Sequence, residues 1–198
     1  MLALHTIYMR LTGKPARTRM GSHWEEVGFQ GSDPSTDLRG VGVLALLNLS
    51  YLIHHSFPNA KTLFELSCDR GGQEFPLATL SINVTGIALQ ALRFGLLHAY
   101  AERKGSVVKA LNDYYVGVFY RFHEVWTLGG KTMNDSGWVI KELREWALEG
   151  KNVANVLGRL SARLGAEQGL AQSRRIEALK AGKEAKNELA RLEFTSLD

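Results

Sequence analysis

The residue in this sequence best placed to do chemistry on another molecule is Arg39. It stands in the run Trp24-Glu25-Glu26-Val27-Gly28-Phe29-Gln30-Gly31-Ser32-Asp33-Pro34-Ser35-Thr36-Asp37-Leu38-Arg39-Gly40-Val41-Gly42, which is dense in turn formers and otherwise neutral or acidic. Ser22 is placed to cap a short helix bearing Trp24, Gly28 to end it, Pro34 to fix the approach of the next element and Thr36 to cap that element. Asp37 would then lie in a first helical turn, where the positive end of the dipole favours an acid and disfavours the arginine two residues on. A cation kept there has two compatible readings. An ion pair to Asp37, Asp33, Glu25 or Glu26 would hold the loop to the helix. Equally, the guanidinium would be held ready for an anionic partner, with Asp37 and backbone carbonyls orienting it until a phosphate replaces them. Its planar fork of donors suits phosphate oxygens.

The other chemistry-bearing patterns are weaker. Gly40-Val41-Gly42-Val43-Leu44-Ala45 meets a relaxed dinucleotide fingerprint, but that loop works only between a strand and a crossover helix, and no strand pattern precedes it. Gly130-Lys131-Thr132 resembles the end of a phosphate loop, yet the required glycine five positions earlier is Val125. His54 and His55, being adjacent, point about 100° apart on a helix, and no carboxylate or cysteine is spaced to complete a metal site. His98 falls on an apolar stripe and reads as a hydrogen-bonded core histidine. The lone Cys68 reads as a packing residue. No nucleophile stands beside an oriented base, so neither an independent active site nor a cofactor or metal is expected.

The elements that must position Arg39 are helical. Apolar spacing gives helices nearly everywhere, the pattern of an all-α fold. Leu77, Leu80, Val84, Ile87, Ala91, Phe94 and His98 form a stripe that predicts a helix over 76–101, opened by Pro76. Val108, Leu111, Tyr115, Phe119, Phe122 and Trp126 predict a second, ended by Gly129 and Gly130. The two are expected to pack together. Val41 to Leu47 is apolar on all sides, so the helix after Arg39 is expected to run through the centre of the bundle. Val139, Leu143 and Trp146, then Val153, Leu157, Leu160 and Leu164, predict two shorter helices interrupted near Gly150. One globular helical domain over 1–165 is therefore expected, with 166–198 as a charged tail, either helical or disordered.

Composition narrows the partners. The net charge of +4 is unevenly spread: residues 1–23 carry Arg10, Lys14, Arg17 and Arg19 with no acid, and 151–198 carry nine basic and six acidic groups, while 24–150 has eleven against fourteen. A mildly acidic body argues against a broad nucleic-acid-binding face. The basic ends are either a solvated surface or a place of peripheral contact with an anionic membrane or acidic partner. Gly40 to Ala60 and Phe75 to Leu92 lack formal charges but are too interrupted by polar residues to read as spanning helices. With one cysteine and no secretory leader pattern at Met1 to Gly21, the expected compartment is the cytoplasm, with an organelle membrane as a peripheral site.

The segment around Arg39 resembles the signature of the ELMO domain family, whose members include ELMO domain-containing GTPase-activating proteins. The positions that carry the resemblance are Trp24, Gly28, Phe29, Gln30, Pro34, Thr36, Asp37, Leu38, Arg39, Gly40, Gly42, Leu46 and Leu49, met without a gap. It extends less specifically through Phe75 to Leu92 and the aromatic helix ending at Trp126, covering roughly 1–165. Members of the family carry more residues ahead of the domain, whereas Met1 here opens almost directly on a helix over Leu2 to Leu11. The resemblance implies a helical domain acting on GTP-bound GTPases of the Arf and Arf-like group, with Arg39 as the catalytic arginine. Gln30, Asp33, Pro34, Thr36, Asp37 and Gly40 would then be positioning or interface residues, and Trp24, Gly42, Leu46 and Leu49 would set the fold. The family's engulfment-and-motility branch offers an alternative, a non-catalytic adaptor for a Rac exchange factor. The presence of Arg39 weighs against it.

Overall fold

A computed structural model describes residues 1–15, 18–55, 60–68 and 71–158. Among these the fold is all-α, with no strand. In chain order the helices are α1 (Leu2–Thr12), the single turn α2 (His23–Glu26), a 3-10 helix (Pro34–Gly40), α3 (Val43–His55), α4 (Ala60–Ser67), α5 (Leu77–Arg93), α6 (His98–Lys104), α7 (Val107–Leu128) and α8 (Ser136–Leu148). A 3-10 turn over Gly150–Asn152 leads into a last helical stretch, 153–158.

The centre of the bundle is α7. Its buried set includes Tyr114, Tyr115, Val116, Val118, Phe119, Phe122 and Trp126, which wrap more than one side of the helix, and α3, α5, α6 and α8 pack around it. The expected pairing of the aromatic helix with the stripe beginning at Leu77 is present as α5 against α7, joined by a buried hydrogen bond of 2.7 Å between the Ser81 and Tyr115 hydroxyls. At the end of α7 the Trp126 indole donates to the Gln73 carbonyl at 2.7 Å and the Gln73 amide returns a bond to the Trp126 carbonyl at 3.1 Å. These pairs satisfy polar groups that burial would otherwise leave costly.

Five expectations are corrected. The single helix over 76–101 is broken: α5 ends at Arg93, Gly95 takes φ 79°, and α6 leaves at a 92° bend. Phe94 and His98 consequently fall off the stripe into solvent, and His98 is not a core histidine. The helix after Arg39 is not the spine. α3 buries Ala45, Leu46, Leu49, Leu52 and Ile53, yet Val43 and Leu47 remain 63% and 57% exposed. Val108 is also exposed, at the start of α7, and Cys68 is exposed and not packed. The interruption near Gly150 is present as expected. Leu160, Leu164 and the charged segment from 166 lie outside the described residues. No single described helix is long and apolar enough to cross a membrane; two bent pairs pass on length and composition, at 102° and 92°.

Candidate functional site

The segment bearing Arg39 is anchored at its start by Trp24. The indole is fully buried, packed edge-on by Tyr8 at 5.7 Å and Phe29 at 6.1 Å, and its N–H donates to the Arg19 carbonyl at 2.8 Å. The Tyr8 hydroxyl donates to Glu26 at 3.1 Å, and Lys14 pairs with the same carboxylate, so α1 and α2 are tied by charge as well as by rings. Ser22 precedes α2 but makes no side-chain cap.

Gly28 then brings the chain against the start of α5. A Cβ built there would lie 2.4 Å from the Leu77 nitrogen and 2.6 Å from the Pro76 carbonyl carbon, and φ is 91°. The closeness has a purpose, because Pro76 offers no side-chain cap and the first N–H groups of a helix have no partner within it. Here the Ala78 N–H donates to the Val27 carbonyl at 3.1 Å, and the Thr79 N–H and hydroxyl donate to the Gly28 carbonyl at 3.0 and 2.8 Å. The loop and α5 therefore complete each other. The part played by Thr79 was not read from sequence; its only signal is a hydroxyl residue in the first turn after a proline.

The arginine is carried on the 3-10 helix. Asp33, and not Thr36, caps it: the Asp33 carboxylate accepts from the Ser35 N–H at 3.0 Å. Hydrogen bonds from the Ser35 side chain and backbone hold that carboxyl below its ordinary value of 3.8, and Arg19 adds attraction. Pro34 is buried at the first helical position, its fixed φ suited to the turn. The Thr36 hydroxyl donates back to the Asp33 carbonyl at 2.8 Å. Asp37 reaches back along the chain: one carboxylate oxygen accepts the Gln30 N–H at 2.8 Å and the other the Thr36 hydroxyl at 3.3 Å. Beyond Arg39 the Gly42 N–H donates to the Leu38 carbonyl at 2.7 Å, and Gly42, at φ 61°, turns the chain through 102° into α3. Gly40 is exposed, with open space where a side chain would start.

Arg39 itself is exposed and, among the described residues, makes no hydrogen bond, ion pair or ring contact. The expected ion pair to Asp37, Asp33, Glu25 or Glu26 is therefore absent among these residues. Asp37 spends its oxygens on the Gln30 N–H and the Thr36 hydroxyl, and Glu26 is held by Tyr8 and Lys14. Nor does Arg39 oppose a helix dipole, because it lies in the last turn of the 3-10 helix, the end that favours a cation. Exposure alone does not set it apart, since Arg10, Arg19 and Arg93 are exposed too. Its setting does: a short turn clamped at both ends presents one solvated guanidinium that, among the described residues, has no ion pair. Gln30 is exposed and borders a cleft of 380 Å³ that Phe29, Phe75, Trp126 and Met133 also line. No titratable group lines that cleft. A second cleft, of 360 Å³ between α7 and α8, holds Glu142, Glu145 and Glu149 with Arg121 but no serine, cysteine or histidine. Among the described residues no group of three or more His, Cys, Asp or Glu is placed to hold a metal. What the arrangement can do chemically is offer hydrogen bonds and positive charge to an anion on another molecule.

Comparison with known proteins agrees with the signature. The sequence profile of the ELMO/CED-12 family matches residues 2–140. Similar proteins include ELMO domain-containing protein 3 of Homo sapiens, 45% identical over 143 residues, and that of Mus musculus, 44% identical over 147 residues. These alignments cover 71% and 73% of this chain but only 37% and 38% of those relatives. ELMO domain-containing protein B of Dictyostelium discoideum is 33% identical over 104 residues, covering 52% of this chain and 36% of its own length. No solved structure matches the chain.

Proposed function

Because the chain belongs to the ELMO/CED-12 family, we propose that it acts on a small GTPase of the Arf or Arf-like group as a GTPase-activating protein, supplying Arg39 in trans. The observation that carries this reading is the arginine's state: a guanidinium exposed, without a partner among the described residues, on a turn fixed by Asp33, Asp37 and the Leu38–Gly42 bond.

Hydrolysis of GTP requires water to attack the γ-phosphorus while the bond to the β–γ bridging oxygen breaks. Charge spreads over the phosphoryl oxygens in the transition state, and no covalent step falls to the activating protein. An arginine laid against those oxygens contributes electrostatically, by about 10³ to 10⁵ in rate. Such a group works best when its carrier is already in place, because reorganisation at the moment of reaction is then avoided. The clamped 3-10 turn supplies that rigidity, while the long arginine side chain keeps its freedom to reach outward. Asp37 acts through the Gln30 backbone and is a positioning residue, as is Asp33. Gln30 and Thr36, both exposed, are assigned as interface residues, and Gly40 leaves room for a close approach. Contact of the basic N-terminal segment with an anionic membrane belongs to the same proposal, since it would place the domain beside a membrane-bound partner.

The test is single-turnover hydrolysis of GTP on a panel of purified Arf-family GTPases, with and without this protein. Stimulation of at least one member by more than about 10²-fold is expected. Rates equal to the intrinsic ones across the panel would refute the proposal.

A further inference from the structure

We infer that Val43 and Leu47 on α3 form the apolar half of a docking face for the nucleotide-bearing surface of the GTP-loaded GTPase, with Arg39 as its cationic half. This rests on the function proposed above.

Isolated exposed apolar residues are ordinary on a protein surface. Val43 and Leu47 are four positions apart on one helix, hence on one face, about 6 Å apart along the axis. Both are more than half exposed, at 63% and 57%, on a helix that buries Ala45, Leu46, Leu49, Leu52 and Ile53 and half-buries Leu44 and Tyr51. α3 itself brings no Asp, Glu, Lys or Arg to this face, since Gly40 to Ala60 contains none. α6, by contrast, displays Glu102, Arg103 and Lys104, which are all exposed.

The occupant follows from position. α3 begins three residues after Gly40, and the Gly42 turn with its 2.7 Å bond to Leu38 fixes the step between the arginine's turn and this face. A guanidinium that lies against a neighbour's γ-phosphate brings the adjoining surface of its own protein against the segments that border that phosphate. In a small GTPase those are the switch segments, which are ordered by the γ-phosphate and released on hydrolysis. An uncharged apolar face suits that place, because it excludes water beside the forming guanidinium–phosphate contact and strengthens it. It also favours the triphosphate state, in which the opposing segments are ordered.

The experiment titrates the activating protein in single-turnover hydrolysis and separates the half-saturating concentration from the maximum rate. It compares wild type, Val43→Glu, Leu47→Glu, Leu47→Ala, Arg39→Ala and a control, Val108→Glu, at a residue 67% exposed on α7. Far-UV circular dichroism and thermal melting confirm that the surface variants fold. The glutamate variants at 43 and 47 are expected to raise the half-saturating concentration by about tenfold or more with the maximum rate within about twofold, and Leu47→Ala to give a smaller rise in the same direction. Arg39→Ala is expected to lower the maximum instead, and Val108→Glu to change neither. Wild-type stimulation with unchanged half-saturation in both glutamate variants overturns the docking face and leaves the arginine mechanism standing. No stimulation by wild type on any GTPase overturns both. A wild-type dimer in sedimentation that Leu47→Glu dissociates would assign the face to a second copy of the chain and overturn the inference.

Discussion

Replacing Gly28 with alanine tests whether the signature loop is held by its contact with α5. The new Cβ would sit 2.4 Å from the Leu77 nitrogen, 2.6 Å from the Pro76 carbonyl carbon and 2.9 Å from the Ala78 nitrogen, all of them backbone atoms that cannot swing aside. Ordinary contact would require the loop to retreat by about 1 Å, which stretches the bonds from Ala78 to the Val27 carbonyl and from Thr79 to the Gly28 carbonyl beyond useful length. Two such bonds contribute about 0.5–1.5 kcal/mol each, and a left-handed alanine adds about 1–2 kcal/mol. The expected loss is therefore about 2–5 kcal/mol, measured as the difference in unfolding free energy by urea titration. Gly31→Ala is the internal control, since Gly31 has open space at its Cβ and no positive φ, and it should cost under about 0.5 kcal/mol. Equal stability of Gly28→Ala and Gly31→Ala would refute the close-approach argument.

Two further outcomes are expected. Asp37→Ala removes the acceptor for the Gln30 N–H and should cost about 1 kcal/mol or less in stability at so exposed a site, while lowering the maximum stimulated rate several-fold, roughly in line with a loosened carrier; Asp37→Asn, which keeps an acceptor, should recover most of the rate, and an unchanged rate in Asp37→Ala would contradict a positioning role. Tyr100, partly withheld from water and donating to the buried Asp113 carboxylate at 3.0 Å, has its pKa pushed up to about 12 from 10.0, so its neutral form is the one the fold favours and the stability it contributes is complete below pH 10.0 and lost as pH rises through about 12. The difference in phenolate absorbance between wild type and Tyr100→Phe, read directly after a pH jump, should have its midpoint near 12, and a midpoint near 10 would contradict the assignment.

How much was legible in the sequence depends on how local the cause is. The aromatic stripe of α7 and its glycine stop were readable because period and terminator lie in one stretch, and burial of Trp24 followed from its place in the signature. The break after Arg93 was hidden because Phe94 and His98 happen to continue the apolar spacing, and only the left-handed Gly95 redirects the chain. α3 was misread for a related reason: an all-round apolar helix usually signals full burial, but the other helices cover only part of this one and leave Val43 and Leu47 in solvent. At the site, the residue types around Arg39 were legible and their hydrogen bonds were not. Asp37 turns to the Gln30 backbone instead of to the arginine two positions on, and the carbonyls of Val27 and Gly28 cap a helix about fifty residues away, pairings that spacing does not encode.

The most direct test of the proposed mechanism is the maximum single-turnover rate of GTP hydrolysis at saturating activator, wild type against Arg39→Lys. Lysine keeps the charge at an exposed position and so leaves the fold intact, but it lacks the planar fork that spans two phosphoryl oxygens. The arginine mechanism predicts a fall of about 10²-fold or more in that maximum, with the half-saturating concentration little changed. A folded Arg39→Lys protein that reaches the wild-type maximum would contradict it.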